Sequence, residues 1–325
     1  MLIVASIIGG LLALIVLVLA GLALFTAWTA HRVEKALPPQ GRFIEVDGVR
    51  LHYVDEGTGP AILLVHGLGG QMGNFTHSLL AKLTPQFRVI IIDRPGSGYS
   101  MPGASAALSA QAALIAHFIQ KLGIERPLVV GHSLGGALAL LLALRHPAQV
   151  GGVALIAAVT CLPDAVPRPF QGLEMTSAFR RRLIAWTLAT PVSIANRQLA
   201  LDTIFGPQPV PADFATKARG YLSLRPRSFI GASRDLVASG EDLPGMPELY
   251  STLTVPVGMI YGTGDRVLNH KTHCETLAAK LPGVDLELID GGGHMILITS
   301  ADRCATFIAR MAKRLDADAK PASIA

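Results

Sequence analysis

A short apolar run that ends in a glycine-flanked serine constrains the fold of this chain more than any other feature. Residues 128–130 (Leu-Val-Val) are apolar without a break, which is typical of a strand buried on both faces of a sheet. Gly-His-Ser-Leu-Gly follows at 131–135, and residues 134–146 are rich in Ala and Leu, which predicts a helix. A serine on a sharp turn needs small neighbours, and the two glycines supply them. The run therefore predicts a strand–turn–helix unit that raises the Ser133 hydroxyl above a sheet edge.

Apolar runs of the same kind recur along the chain, with helical patterns between them. The predicted buried strands are at 61–65, 89–92, 128–130 and 153–157, and two further strands are predicted at 255–261 and 284–289. The predicted helices are near 73–83, 109–122, 134–146, 270–281 and 295–314. Buried strands that alternate with helices form right-handed βαβ units, so we expect an α/β fold with a mostly parallel, doubly wound sheet. An Asp47-Gly48 turn between 42–46 and 49–55 predicts a hairpin in front of it.

One proline-rich segment, residues 161–250, interrupts this alternation. Amphipathic pieces near 176–189 and 212–224 lie between its prolines, so the segment is expected to form a helical cap inserted over the sheet. The predicted α/β core then consists of 42–160 and 251–315, followed by a disordered tail at 316–325.

The N-terminus carries a long uncharged stretch. From Leu2 to Trp28 no residue is charged, and as a helix this stretch would measure roughly 40 Å, more than a hydrocarbon core of roughly 30 Å. We therefore predict one transmembrane anchor at 1–30 and a linker at 31–41 whose two prolines keep the domain close to the bilayer. A cleaved signal peptide is the alternative, but it requires a basic n-region, which is missing here.

The charges beside this stretch predict its orientation. Arg32, Lys35 and Arg42 follow it, whereas no Lys or Arg precedes it, which favours a cytoplasmic location for the domain that follows. The net charge is +5, but the basic residues are scattered, and the chain has no zinc-finger spacing, RNP motif or long basic run, so no nucleic-acid partner is expected.

The three cysteines form no C-x-x-C pair, which disfavours a disulfide framework or a zinc site. They are predicted to be buried free thiols: Cys161, Cys274 and Cys304.

A serine nucleophile needs a base and an orienting acid. Among the ten histidines, His294 stands out because three glycines precede it between a predicted strand and a helix. Asp265 follows the predicted strand that ends at Gly262, where a carboxylate can hold the histidine tautomer. Asp164 and Asp290 are the rival acids; Asp290 lies too near His294 in sequence to be a good partner. The predicted catalytic residues are Ser133, Asp265 and His294.

A glycine-rich loop after the first parallel strand completes the set. In His66-Gly67-Leu68-Gly69-Gly70, the backbone N–H of Leu68 is expected to join that of Leu134 as an oxyanion hole. A phosphate-binding loop is the alternative reading, but neither G-x-G-x-x-G nor a following Gly-Lys-Ser/Thr is present.

These motifs, in the chain order Ser…Asp…His, resemble the α/β-hydrolase fold family. The loop Asp93-Arg94-Pro95-Gly96-Ser97-Gly98 is similar to that family's loop after its next strand, and the resemblance covers about 42–314. It implies a serine hydrolase without a cofactor or a metal, closest to membrane-anchored esterases and monoacylglycerol-lipase-like enzymes. A serine follows His132, whereas haloalkane dehalogenases and epoxide hydrolases of this fold use an aspartate there.

The resemblance leaves several functions open. Hydrolysis of a carboxylic ester through an acyl-serine intermediate is the first; a C–C bond hydrolase or a cofactor-free perhydrolase would use the same triad, and a non-catalytic binding protein is a third class. The cap is expected to wall an apolar acyl pocket with Phe170, Leu173, Met175, Phe179, Leu183, Ile184, Trp186 and Leu188. The adjacent basic run, Arg180-Arg181-Arg182, suits an anionic membrane surface. The expected substrate is a lipophilic ester; acyl length and oligomeric state stay open.

Overall fold

The protein, described by a computed structural model over residues 2–319, is built on an eight-stranded sheet with strand order β1-β2-β4-β3-β5-β6-β7-β8. The strands are β1 (Arg42–Val46), β2 (Val49–Glu56), β3 (Ala61–Val65), β4 (Arg88–Ile92), β5 (Leu128–His132), β6 (Gly152–Ile156), β7 (Val257–Gly262) and β8 (Asp285–Ile289). β1 and β2 form the predicted antiparallel hairpin, and β2 pairs antiparallel with β4. The six strands β3 to β8 are parallel to one another. The predicted doubly wound α/β-hydrolase sheet is confirmed.

Helices cover both faces of this sheet. They are α1 (Leu2–Ala36), α2 (Gly73–Thr76), α3 (Leu80–Leu83), α4 (Leu108–Lys121), α5 (Leu134–Arg145), α6 (Ala178–Trp186), α7 (Ala189–Ala195), α8 (Arg197–Phe205), α9 (Pro226–Asp242), α10 (Met246–Leu249), α11 (His270–Ala278), α12 (Ile296–Thr299) and α13 (Ala301–Ala319). α4 and α5 pack on one face, and α3, α12 and α13 pack on the other. The central strands are apolar and buried on both faces for this reason.

The cap differs from its prediction at residues 212–224. Residues 212–224, expected to be an amphipathic helix, form turns and a short 3₁₀ segment at Gly220–Leu224. The cap's longest helix is α9, which begins at Pro226; proline fits the first turn because it needs no backbone N–H there. α9 contacts α4 of the core and α6 of the cap, and its buried face carries Ser233 and Asp235.

The N-terminal helix is longer than the predicted anchor. α1 continues past residue 30 to Ala36, so the connection to β1 is only 37–41. It is long and apolar enough to cross a membrane, and its uncharged window is not buried by the rest of the protein. Its last turns pack on the cap, where Thr26, Thr29 and Val33 are buried.

The C-terminal helix also exceeds its prediction. α13 extends to Ala319, beyond the expected end at residue 315. The predicted disordered tail at 316–325 therefore begins within a helix, and 320–325 lie outside the described residues.

Candidate active site

The sharp turn after β5 has the strained backbone that a nucleophile elbow requires. Ser133 has φ 53° and ψ −123°, a conformation that costs a non-glycine residue on the order of 1–3 kcal/mol. Its own N–H donates to the carbonyl of Ile156 on β6 (3.1 Å), and its carbonyl accepts from Gly136 (2.9 Å). α5 begins at the next residue, so the serine stands at the carboxyl edge of the sheet in front of a helix N-terminus.

The two flanking glycines are required by close backbone packing. A Cβ atom at Gly131 would lie 2.3 Å from the carbonyl oxygen of Gly135, and one at Gly135 would lie 2.2 Å from that of Val65. Both distances are far below van der Waals contact. The motif therefore fixes where the elbow sits against β3.

Asp265 and His294 form a buried pair on the two loops that follow β7 and β8. The Nδ1 atom of His294 lies 2.7 Å from Oδ2 of Asp265, and the carboxylate side chain is fully buried. Its other oxygen accepts the N–H groups of Val267 (2.7 Å) and Leu268 (3.0 Å). Burial raises the pKa of Asp265, but the histidine and the two N–H donors outweigh it, so the net pKa is lowered and the carboxylate stays ionised.

The elbow and the histidine loop are in contact through His132. Its Nε2 atom lies 3.1 Å from the carbonyl oxygen of His294, and the two imidazole rings are 4.9 Å apart. Within residues 2–319 no hydrogen bond joins the Ser133 hydroxyl to His294; such bonds often tighten only when substrate binds. Ser133 is 8% exposed and His294 4% exposed, so both residues are buried.

The glycine-rich loop after β3 packs directly on the serine. A Cβ atom at Gly67 would lie 2.7 Å from Cβ of Ser133 and 3.2 Å from its Oγ. In the described part of the chain, the N–H groups of Leu68 and Leu134 donate no hydrogen bond to protein, which leaves both free to point at a developing oxyanion.

A buried arginine, which the sequence interpretation did not single out, holds this loop. Arg94 donates from Nε to the carbonyl of His66 (2.9 Å) and from Nη2 to that of Gly67 (3.0 Å). Its Nη2 atom also lies 2.8 Å from Oδ2 of Asp235 on α9, and both side chains are almost completely buried. Gln111 of α4 accepts from Arg94 and donates to Asp235, each at 3.0 Å. The cap is thereby tied to the glycine-rich loop.

The other candidate residues occupy different places. Asp164 is exposed, and Asp290 accepts a hydrogen bond from the Thr263 hydroxyl (3.1 Å) at the surface. Neither rival acid contacts His294 through a hydrogen bond in the described residues.

Two other histidines lie close to the site. Burial lowers the pKa of His66 and of His132 to about 3, so both imidazoles are neutral near pH 7.

The cap residues expected to wall an acyl pocket divide into two groups. Phe170, Leu173, Met175 and Ile184 are half-buried. Four others point outward and are exposed, so they do not wall a pocket as expected: Phe179, Leu183, Trp186 and Leu188. The basic run also divides, because Arg181 is buried and donates to Ser233 Oγ (2.9 Å) and to the carbonyl of Met175, whereas its neighbours are exposed. Arg181 is therefore a packing residue of the cap.

Comparison with known proteins identifies the family. The chain belongs to the alpha/beta hydrolase fold family, whose model matches residues 60–301. It is 32% identical over 269 residues to an uncharacterised protein of Mycobacterium tuberculosis, covering 81% of this chain and 78% of that one. It is 31% identical over 296 residues to the 2-hydroxymuconate semialdehyde hydrolase of Pseudomonas putida, covering 86% and 96%.

A solved structure has the same fold over nearly the whole chain. The crystal structure of a membrane phospholipase A, described as a bacterial virulence factor, superposes with a TM-score of 0.70. It is 24% identical and covers 96% of this chain and 99% of that one. The similarity at this identity establishes the shared fold.

Proposed function

We propose that this protein is a serine hydrolase that cleaves lipophilic carboxylic esters, with Ser133 as nucleophile, His294 as general base and Asp265 as the orienting acid. One observation carries the proposal: the serine has a strained backbone at the carboxyl edge of the sheet, beside a buried Asp265–His294 pair with a 2.7 Å contact. Strain of this kind persists where the surrounding structure enforces it, most often at functional sites.

The proposed reaction proceeds through an acyl-enzyme. Ser133 Oγ attacks the ester carbonyl carbon while Nε2 of His294 takes its proton, and Asp265 stabilises the imidazolium. The N–H groups of Leu68 and Leu134 bind the carbonyl oxygen as it becomes negative. The C–O bond then breaks, and His294 gives its proton to the departing alcohol. A water molecule attacks the acyl-serine by the same route, which releases the carboxylic acid and restores Ser133.

The substrate class and the location rest on the N-terminal helix. α1 would hold the domain at a bilayer, since 35 helical residues measure about 50 Å and the connection to β1 is short. Esters that partition into lipid, such as monoacylglycerols or medium-chain acyl esters, would be concentrated there. The basic residues that follow its apolar stretch favour the cytoplasmic side.

A chain-length series tests the proposal. Purified full-length protein should hydrolyse p-nitrophenyl esters with rates that rise from acetate toward hexanoate and decanoate, and it should also cleave monoacylglycerols. Ser133→Ala should abolish turnover, whereas Ser193→Ala, an exposed serine of α7, should leave it unchanged. Equal activity in both variants would contradict the assignment of the nucleophile.

A C–C bond hydrolase is the second candidate, favoured by the similarity to the 2-hydroxymuconate semialdehyde hydrolase over 86% of this chain. It would use the same triad on a carbon leaving group. Assaying 2-hydroxymuconate semialdehyde beside the ester series separates the two candidates, because turnover of the semialdehyde without ester cleavage would favour C–C hydrolysis.

A further inference from the structure

The outer face of the cap carries large apolar side chains that stay exposed in the described part of the protein. Phe179, Leu183 and Trp186 lie at i, i+4 and i+7 of α6 and share one face, whereas Ala185 on the opposite side is buried. Phe179 is 77% exposed and Trp186 is 43% exposed. Leu188 and Val192 extend this surface onto α7. We call these five residues the outer cap patch.

The packing of α1 fixes the depth of the outer cap patch relative to the apolar stretch. Both α6 and α7 contact α1. The Thr26 hydroxyl donates to the carbonyl of Thr187, between Trp186 and Leu188, at 3.5 Å. Thr26 lies inside the uncharged stretch, which includes Trp28 and continues to Ala30. A bilayer that contains this stretch must therefore reach the level of the junction between α6 and α7.

The side chains near this level suit a membrane interface. Trp28 is exposed on α1, and the guanidinium of Arg32 lies 4.9 Å from the centre of its ring. Tryptophan with a cation one turn closer to water is the arrangement that membrane interfaces favour. On the cap, no Asp or Glu occurs in 178–201, and the exposed basic residues Arg180, Arg182 and Arg197 lie in the same segment. The cap segment is thus apolar, edged with positive charge and free of negative charge.

We propose that the outer cap patch is a lipid-binding surface, immersed at the interface of an anionic bilayer beside α1. The inference rests on the proposed membrane crossing of α1 and is independent of the chemistry at Ser133. Large exposed apolar patches with a polar rim mark such interaction surfaces, and continuity with an anchor selects lipid as the occupant. The cap helices that cover the catalytic serine would then face the phase in which a lipophilic ester is dissolved.

The chain offers a direct probe, because it contains two tryptophans, Trp28 and Trp186. Trp28→Phe leaves Trp186 as the sole reporter on the patch, and Trp186→Phe leaves Trp28 as the reporter on the anchor. Full-length protein is reconstituted in vesicles whose lipids are brominated either near the headgroup or near the chain end. Trp186 should show blue-shifted emission. Bromines near the headgroup should quench this emission more strongly than bromines near the chain end.

Two further variants make the result specific. Phe179→Asp with Val192→Asp should shift Trp186 emission to the red and weaken its quenching, whereas Leu249→Asp, on a helix before β7, should change neither. Quenching of Trp186 should be stronger in anionic than in neutral vesicles, and Arg180→Gln with Arg182→Gln should remove this difference. Arg181 is left intact because it is buried.

Several outcomes would overturn the proposal. Trp186 emission that is red-shifted and unaffected by either brominated lipid would place the patch in water. Blue-shifted emission without quenching, together with a cross-linked dimer, would show that a second copy covers it. Ser133→Ala should retain the blue-shifted emission of Trp186 and its quenching by brominated lipid. The lipid-binding surface can therefore be tested separately from the proposed hydrolase chemistry. Quenching of Trp28 in the same vesicles reports whether α1 itself is inserted.

Discussion

Replacing Arg94 with Met should destabilise the protein strongly, because the guanidinium is the partner of a buried carboxylate. Arg94 and Asp235 are 0% and 2% exposed in their side chains, with 2.8 Å between Nη2 and Oδ2. Met is close in length but carries no charge, so Asp235 would be left buried and unpaired. The carbonyls of His66 and Gly67 would each lose the guanidinium as a donor as well.

The magnitude follows from the burial of the pair. Breaking a buried ion pair by removing one partner costs about 3–5 kcal/mol. At about 2–4 °C per kcal/mol for a domain of this size, the melting temperature should fall by on the order of 10 °C. Burial raises the pKa of Asp235, so protonation of the stranded carboxyl would recover part of the loss at low pH.

A double-mutant cycle with a matched control provides the assay. Arg94→Met, Asp235→Leu and the double variant are compared by thermal and urea unfolding of the full chain in one detergent. The double variant should be more stable than Arg94→Met, since it buries no unpaired charge. The control is Arg88→Met, whose pair with Asp55 is partly exposed and should contribute at most about 1 kcal/mol. Equal small losses for Arg94→Met and Arg88→Met would refute the reasoning.

Three further predictions follow from the site. Asp265→Asn should lower kcat by about 10⁴ through loss of the histidine tautomer, whereas Asp290→Asn should be mild; steady-state ester kinetics would detect a reversed order. Gly135→Ala should abolish soluble expression or activity because its Cβ would lie 2.2 Å from a carbonyl oxygen; a wild-type melting curve would contradict this. The pKa of His66 and of His132 is about 3 in the folded protein and 6.5 in the unfolded chain. Between pH 6.5 and about pH 3, only the unfolded chain therefore takes up protons at these two residues. The free energy of unfolding should therefore fall below pH 6.5 by up to about 1.4 kcal/mol per pH unit per histidine, and urea titrations showing no such fall would exclude neutral burial.

The core of the fold was predictable because its signals are local. Strands buried on both faces must be continuously apolar, so β3 to β7 stand out in the sequence, and the glycines at 131 and 135 mark the turn between β5 and α5. Parallel strands bring their carboxyl ends to one edge of the sheet. The loops that carry Asp265 and His294 could therefore be expected to meet, and the structure places their side chains 2.7 Å apart.

The cap and its contacts were harder to predict because they depend on tertiary packing. Pro226 is one of the prolines of the segment 161–250, and it begins α9, since proline is favoured in a helix's first turn. The partners Arg94 and Asp235 are far apart in sequence and meet only when α9 docks on the core. Arg181 has two exposed arginine neighbours, and its burial depends on its partners, Ser233 on α9 and the carbonyl of Met175. The outward direction of Phe179 and Trp186 likewise depends on which face of α6 the rest of the cap covers.

Covalent labelling of Ser133 tests the central assignment most directly. A fluorophosphonate reacts with a serine hydroxyl only when a base and an oxyanion hole activate it, and the strained turn at Ser133 is where this protein is proposed to provide both. Intact-protein mass spectrometry should show one adduct, located by peptide analysis at 131–135 and lost in Ser133→Ala. His294→Ala should label far more slowly, although its serine is retained. An adduct at another residue, or unchanged labelling of Ser133→Ala, would contradict the account.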